Sequence, residues 1–80
     1  MKLEILTPEK LLYEGEVDSI KVPGKKGPFT VLHNHAPIIS TLEMGQIKIV
    51  SRTQANEIID ITGGIIEVKK NHIIILADMA

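Results

Sequence analysis

The chain has no cysteine and no tryptophan, and its 80 residues include one tyrosine and one phenylalanine. Without cysteine there is no disulfide framework and no thiolate metal site to add stability, which fits a reducing compartment or a bacterial cytoplasm. Without aromatics there are no stacking platforms for bases, and the core has to be built from Ile, Val and Leu. Neither sign of charge dominates: nine Lys and Arg stand against ten Asp and Glu. Phosphate binding needs a basic field, so nucleic acid is excluded as the main partner. Long hydrophobic runs are also missing. The longest, Ile73 to Ala77, is far short of the roughly 20 apolar residues a membrane span needs. Glu4 stands where a signal peptide would be apolar. We therefore expect a soluble, unsecreted chain that meets a membrane only through a partner.

What is present is a series of short apolar runs, each opened by a turn and rich in Ile and Val. Lys2 to Thr7 alternates, with Leu3 and Ile5 on one side, and ends at Pro8. This is the pattern of a half-buried strand. Strands are expected over 9–14, 17–22, 29–32, 38–42, 46–51, 57–62, 65–69 and 72–77. Gly15-Glu16 and Lys70-Asn71 read as turns, Arg52 to Asn56 as a polar hairpin loop, and Pro23 to Pro28 as the plainest loop. Ala36 is pushed to extended geometry by Pro37. Gly63-Gly64 permits a bulge, a positive φ or a close backbone approach. About nine short strands without an amphipathic helix give an all-β fold, a flattened two-sheet sandwich, as a single domain over residues 1–80.

Few residues suggest chemistry. His33 and His35, two apart on an extended chain, would share a face and could ligate a metal. They lack the third and fourth ligands a zinc site requires, so no metal is expected. A small metal- or ligand-binding module using both histidines is the rival reading. His72 follows a turn and should be exposed. Lys25-Lys26 between glycines lacks the phosphate-loop pattern and reads as a hairpin tip. Ser19, Ser40, Thr41, Ser51 and Thr62 lie in no nucleophile elbow. Asp60 and Glu67 alternate outward, and with Asp78 they give no acid–base pair signal. No enzyme signal emerges, and no cofactor is expected.

Five pieces taken in order carry a family resemblance: Glu14-Gly15-Glu16-Val17, Asn34-His35-Ala36-Pro37, Gly45-Gln46-Ile47-Lys48-Ile49, Gly63-Gly64-Ile65-Ile66-Glu67-Val68, and Ile73 to Ala80. Across nearly the whole chain the sequence resembles the N-terminal domain of the epsilon subunit of rotary F-type ATP synthases. That resemblance implies a flattened sandwich of about ten strands, agreeing with the class read from pattern.

The resemblance further implies a non-catalytic central-stalk rotor subunit on the cytoplasmic face of the bacterial inner membrane. Such a subunit links gamma to the membrane c-ring, so that ion-driven rotation is coupled to ATP synthesis. By position, the gamma-facing surface would include Thr7, His35, Ala36, Pro37, Ser40 and Met44. The tip facing the c-ring would be Lys25, Lys26, Gly27 and Pro28. That tip is basic here where the family often has acidic residues. The family's Tyr-Pro-Gly-His-Ala-Pro-like run reads Leu32-His33-Asn34-His35-Ala36-Pro37. Bacterial members usually continue into a C-terminal helical hairpin that restrains ATP hydrolysis and in some members binds ATP. The sequence ends before it. The expectation is a naturally short subunit that couples without hairpin inhibition and binds no ATP.

Overall fold

The computed structural model describes all residues, Met1–Ala80. Nine strands and no helix make up the chain: β1 Lys2–Leu6, β2 Leu11–Glu16, β3 Ser19–Val22, β4 Phe29–Leu32, β5 Ile38–Leu42, β6 Gly45–Val50, β7 Glu57–Ile61, β8 Gly63–Lys69 and β9 His72–Asp78. They form two sheets, one of five strands in the order β2-β1-β9-β8-β5 and one of four in the order β4-β3-β6-β7. The body measures 28 × 24 × 17 Å. The all-β sandwich expected from the pattern is the fold observed. With no helix present, none is long and apolar enough to cross a membrane.

Alternation builds the core. Leu3 and Ile5 of β1, Ile20 and Val22 of β3, Ile47 and Ile49 of β6, Ile66 and Val68 of β8, and Ile73 and Ile75 of β9 all point between the sheets and are buried. They belong to one cluster of 16 residues drawn from both sheets. Tyr13 is the one buried side chain that carries a polar group, and no buried side-chain nitrogen or oxygen lacks a partner. The interior is thus almost purely aliphatic, as the scarcity of aromatics requires.

Several boundaries depart from the sequence reading. Gly15-Glu16 is no turn: both residues belong to β2, and Gly15 pairs with Leu3. The end of the Gln54 side chain lies over this glycine, and a Cβ there would displace it. The chain turns at Val17-Asp18. Of the geometries open to Gly63-Gly64, the positive φ and the close backbone approach are both found at Gly64, and the bulge is elsewhere. Gly63 and Gly64 pair in regular register with Asp78 and Ala77, whereas β1 and β2 slip where Ile5 faces Tyr13 and Leu6 faces Leu11. Leu12 is the extra residue there. Lys70 and Asn71 do make a tight turn. Their φ values of 51° and 60° are the left-handed pair of a type I′ hairpin.

Gln54, in the loop between β6 and β7, accepts a 2.8 Å hydrogen bond from the buried Tyr13 hydroxyl. Burial raises the Tyr13 pKa, and the nearby Glu57 carboxylate raises it further. A folded-state pKa above the ordinary value of about 10 leaves stability intact below that pH. Above it the unfolded chain loses its proton first, and stability falls until the pH passes the native pKa. We therefore expect the melting temperature to drop more steeply between pH 9 and pH 11 in the wild type than in Tyr13→Phe. The two proteins differ by that one hydroxyl, so the difference between the two thermal profiles isolates the phenol.

Candidate docking surface

The outer face of the five-stranded sheet carries the feature of interest. Register places Thr41 beside Ile65, Ile65 beside Leu76, Leu76 beside Leu6, and Leu6 beside Leu11. One rung across all five strands is therefore apolar apart from the hydroxyl of Thr41. Its side chains point away from the core, with Leu11 49%, Ile65 49% and Leu76 55% exposed. Along β5, Ile39 adds a further side chain at 72% exposure. An aliphatic row of this kind on a rigid sheet, rimmed by charge, is the physical profile of a protein-docking surface.

The rim is charged, and at the start of β1 the charges are paired. Glu4 stands between Lys2 and His72, with its Oε1 3.8 Å from Lys2 Nζ and its Oε2 3.0 Å from His72 Nε2. Lys2 also reaches Glu14 at 3.8 Å. His72 is thus half-buried against β1 rather than freely exposed as its place after a turn suggested. The carboxylate beside it can only accept, so Nε2 carries the hydrogen.

The residues singled out in the sequence fall at several places around this face. Thr7 follows the end of β1, and its hydroxyl donates to the Lys10 carbonyl at 3.2 Å. Ala36 and Pro37 are exposed in the connection between the two sheets, next to the half-buried His35. The His35 amide donates to Leu32 O at 3.1 Å, and its ring Nδ1 lies 2.7 Å from Ala36 O. A carbonyl cannot donate, so Nδ1 is the protonated nitrogen. Ser40 pairs with the buried Ile66, so its side chain leans to the inner side of β5, half-buried. Met44 is 72% exposed at the end of β5 away from His35.

The Lys25–Pro28 tip lies alongside β5. Lys25 N donates to Thr41 O at 2.9 Å, and the tip shares an open groove with Ile38, Ile39, Ser40 and Thr41. The structure thus brings Ser40 to the tip and separates Thr7 from His35. What links Thr7 to β5 is the apolar rung itself, which crosses the three strand spacings from Leu6 to Thr41 in about 14 Å.

The histidine pair does not have the geometry assumed for ligation. His33 and Asn34 are the central residues of a turn, with Asn34 at φ 64°, the position that needs positive φ in a type II turn. The chain is therefore not extended between the histidines. His33 faces a polar cleft with Met1, Glu16, Asp18 and Arg52. There Arg52 already donates its backbone N–H and its Nε to Asp18, at 2.7 and 3.0 Å. Nowhere do three His, Cys, Asp or Glu side chains converge as a metal site would need.

Sequence reasoning did not find the apolar rung, although it left a trace. Ile73 to Leu76 is apolar at every position, and a strand apolar on both sides is one whose two faces are both destined for cover.

The chain matches the family described as the ATP synthase delta/epsilon chain β-sandwich domain over residues 1–80. It is 44% identical over 78 residues to an ATP synthase epsilon chain of Leptospira interrogans, covering 98% of this chain and 61% of that one. It is 37% identical over 76 residues to the epsilon chain of Chlorobaculum tepidum, covering 95% of this chain and 86% of that one. Its fold is similar to a chain in the Euglena gracilis mitochondrial ATP synthase at a TM-score of 0.85 and 18% identity, covering 94% of this chain and 48% of that one. The chain thus spans 61% of the length of the Leptospira relative. With a family match from end to end and more than a third of residues shared with a relative of similar length, the chain belongs to the ATP synthase delta/epsilon β-sandwich family.

Proposed function

We propose that residues 1–80 act as one unit, the docking domain of an epsilon subunit in the central stalk of an F-type ATP synthase. The observation that carries this reading is the exposed apolar rung Leu11-Leu6-Leu76-Ile65 on the outer sheet face. The partner is the gamma subunit, gripped through a surface that includes Thr7, His35, Ala36, Pro37, Ser40 and Met44 together with the rung. The Lys25, Lys26, Gly27 and Pro28 tip faces the c-ring, whose loops would then offer acidic groups. The role is mechanical and uses no cofactor: a stiff two-sheet body holds gamma to the ring, so that rotation reaches the catalytic head. Membrane association is through the complex, on the cytoplasmic face of a bacterial inner membrane.

The test is association with the gamma subunit of the same complex, by calorimetry, for wild type and Pro37→Asp. Pro37 is exposed, so its replacement leaves the core intact. Wild type should bind at roughly micromolar concentration or below. The mutant should lose about tenfold or more in affinity at an unchanged melting temperature, because a carboxylate forced into a docking contact loses its water without gaining a partner. Failure of wild type to bind at roughly 50 μM would overturn the reading.

A further inference from the structure

Two asparagines far apart in sequence close on each other by both of their amide groups. Asn34 lies in the turn that precedes His35-Ala36-Pro37, and Asn71 lies in the β8–β9 hairpin. Asn71 Oδ1 accepts the Asn34 backbone N–H at 2.7 Å, and Asn34 Oδ1 accepts from Asn71 Nδ2 at 3.0 Å. Both residues have left-handed backbones, at φ 64° and 60°. Asn71 is tied down independently, since its own carbonyl accepts the Lys2 N–H at 3.0 Å. One end of the pair is therefore anchored in the five-stranded sheet, and the other sits in the connection between sheets.

We propose that Asn71 is a positioning residue for the docking loop His33–Pro37, acting through this reciprocal amide pair with Asn34. The inference rests on the reading that His35, Ala36 and Pro37 contact gamma, and it adds a mechanism for holding them. The loop's own bonds are few: the Leu32–His35 turn bond and the contact of the His35 ring with its neighbour's carbonyl. Both are local and fix the loop's shape, not its place on the body. The amide pair supplies the placement. A loop held in its bound position loses less freedom on docking, which raises apparent affinity without any new contact.

The hairpin turn alone does not account for the pair. A type I′ turn needs positive φ at Asn71, and glycine meets that need equally well. Asn71→Gly therefore removes the side-chain amide and leaves the turn. Asn71→Asp retains an oxygen for the Asn34 N–H, and the Asn34 amide can rotate to offer its NH2.

The experiment measures two quantities in the whole chain, well below its melting temperature. The first is hydrogen exchange at the Asn34 amide. The second is calorimetric affinity for gamma. Asn71→Gly should speed exchange at Asn34 and weaken docking by about five- to tenfold, the scale of two partly exposed hydrogen bonds. Asn71→Asp should keep both near wild type. Asn34→Gly removes only the bond from Asn71 Nδ2 and keeps the backbone N–H, so it should weaken docking less than Asn71→Gly, and the double variant should lose no more than Asn71→Gly alone, because the pair acts as a unit. Faster exchange in Asn71→Gly with unchanged affinity would overturn the positioning role, as would double-variant losses that simply add. Absence of gamma binding by wild type would also overturn it, together with the docking reading, while the exchange data would still report whether the clamp exists.

Discussion

Replacing Gly64 by valine should unfold the domain or bring it close to unfolding. Gly64 has φ 154°, and a Cβ built there would collide with the backbone oxygen of Leu76 while lying 3.2 Å from Ala77 Cα. A flexible side chain could move aside, but a β9 backbone paired on both edges, with β8 and β1, cannot. The substituted strand has to shift, and its register with Leu42 on one side and Ala77 on the other goes with it. We expect a loss of about 3–5 kcal/mol. A domain of this size has only about 4–12 kcal/mol in total, so urea denaturation should show a collapsed midpoint or no folded baseline. Gly63→Ala is the matched control. A Cβ at Gly63 meets its nearest atoms at 3.6 Å, an ordinary contact, and the change should stay within about 1 kcal/mol. Equal behaviour of the two variants would show that the close approach at Gly64 carries no structural weight.

Leu76→Lys should leave the fold intact and abolish docking. Leu76 lies on the middle strand of the five-stranded sheet, with Leu6 and Ile65 on either side. The side chain already faces outward, so a lysine can lay its stem on the sheet and hold its ammonium in water. Stability should change by less than about 1 kcal/mol. In a complex the ammonium would be trapped without a counter-ion, and we expect affinity for gamma to fall about 100-fold or more. Ile58→Lys is the comparison. Ile58 is 61% exposed on β7, in the other sheet, and its replacement should leave affinity within about threefold. Wild-type affinity in Leu76→Lys would show that the apolar rung is not where gamma docks. Equal losses in both variants would point to a general effect of added charge, and the choice of sheet would fall with it.

Much of the architecture was legible from local pattern. The strands Phe29–Leu32 and Ile38–Leu42 fall where alternation and Pro or Gly boundaries place them. The Lys70-Asn71 turn and the special geometry at Gly64 follow from what positive φ requires. The errors share one cause. Gly15 resembles a turn residue because glycine usually punctuates, yet it lies inside β2 with the Gln54 side chain over it, reaching across from the β6–β7 loop. His33 and His35 looked like a pair on one face because the chain was read as extended, while Asn34 takes the left-handed conformation held by its bond to Asn71. His72 looked free because Glu4, its partner, is near the opposite end of the chain.

Alternation, turn chemistry and the missing aromatics fix an all-β chain with an aliphatic core, because they act between residues a few positions apart. The parallel pairing of β1 with β9, which brings the two ends of the chain together, is decided only in the folded molecule. That pairing sets Leu6 beside Leu76 and so completes the apolar rung. The packing of the two sheets likewise brings Asn34 to Asn71 across a separation of 37 residues. Contacts of this range leave no periodicity in the sequence, since each joins one residue to one other and repeats nowhere. The sandwich was therefore written in local spacing, and the surface it offers to a partner was settled by which distant strands came to lie side by side.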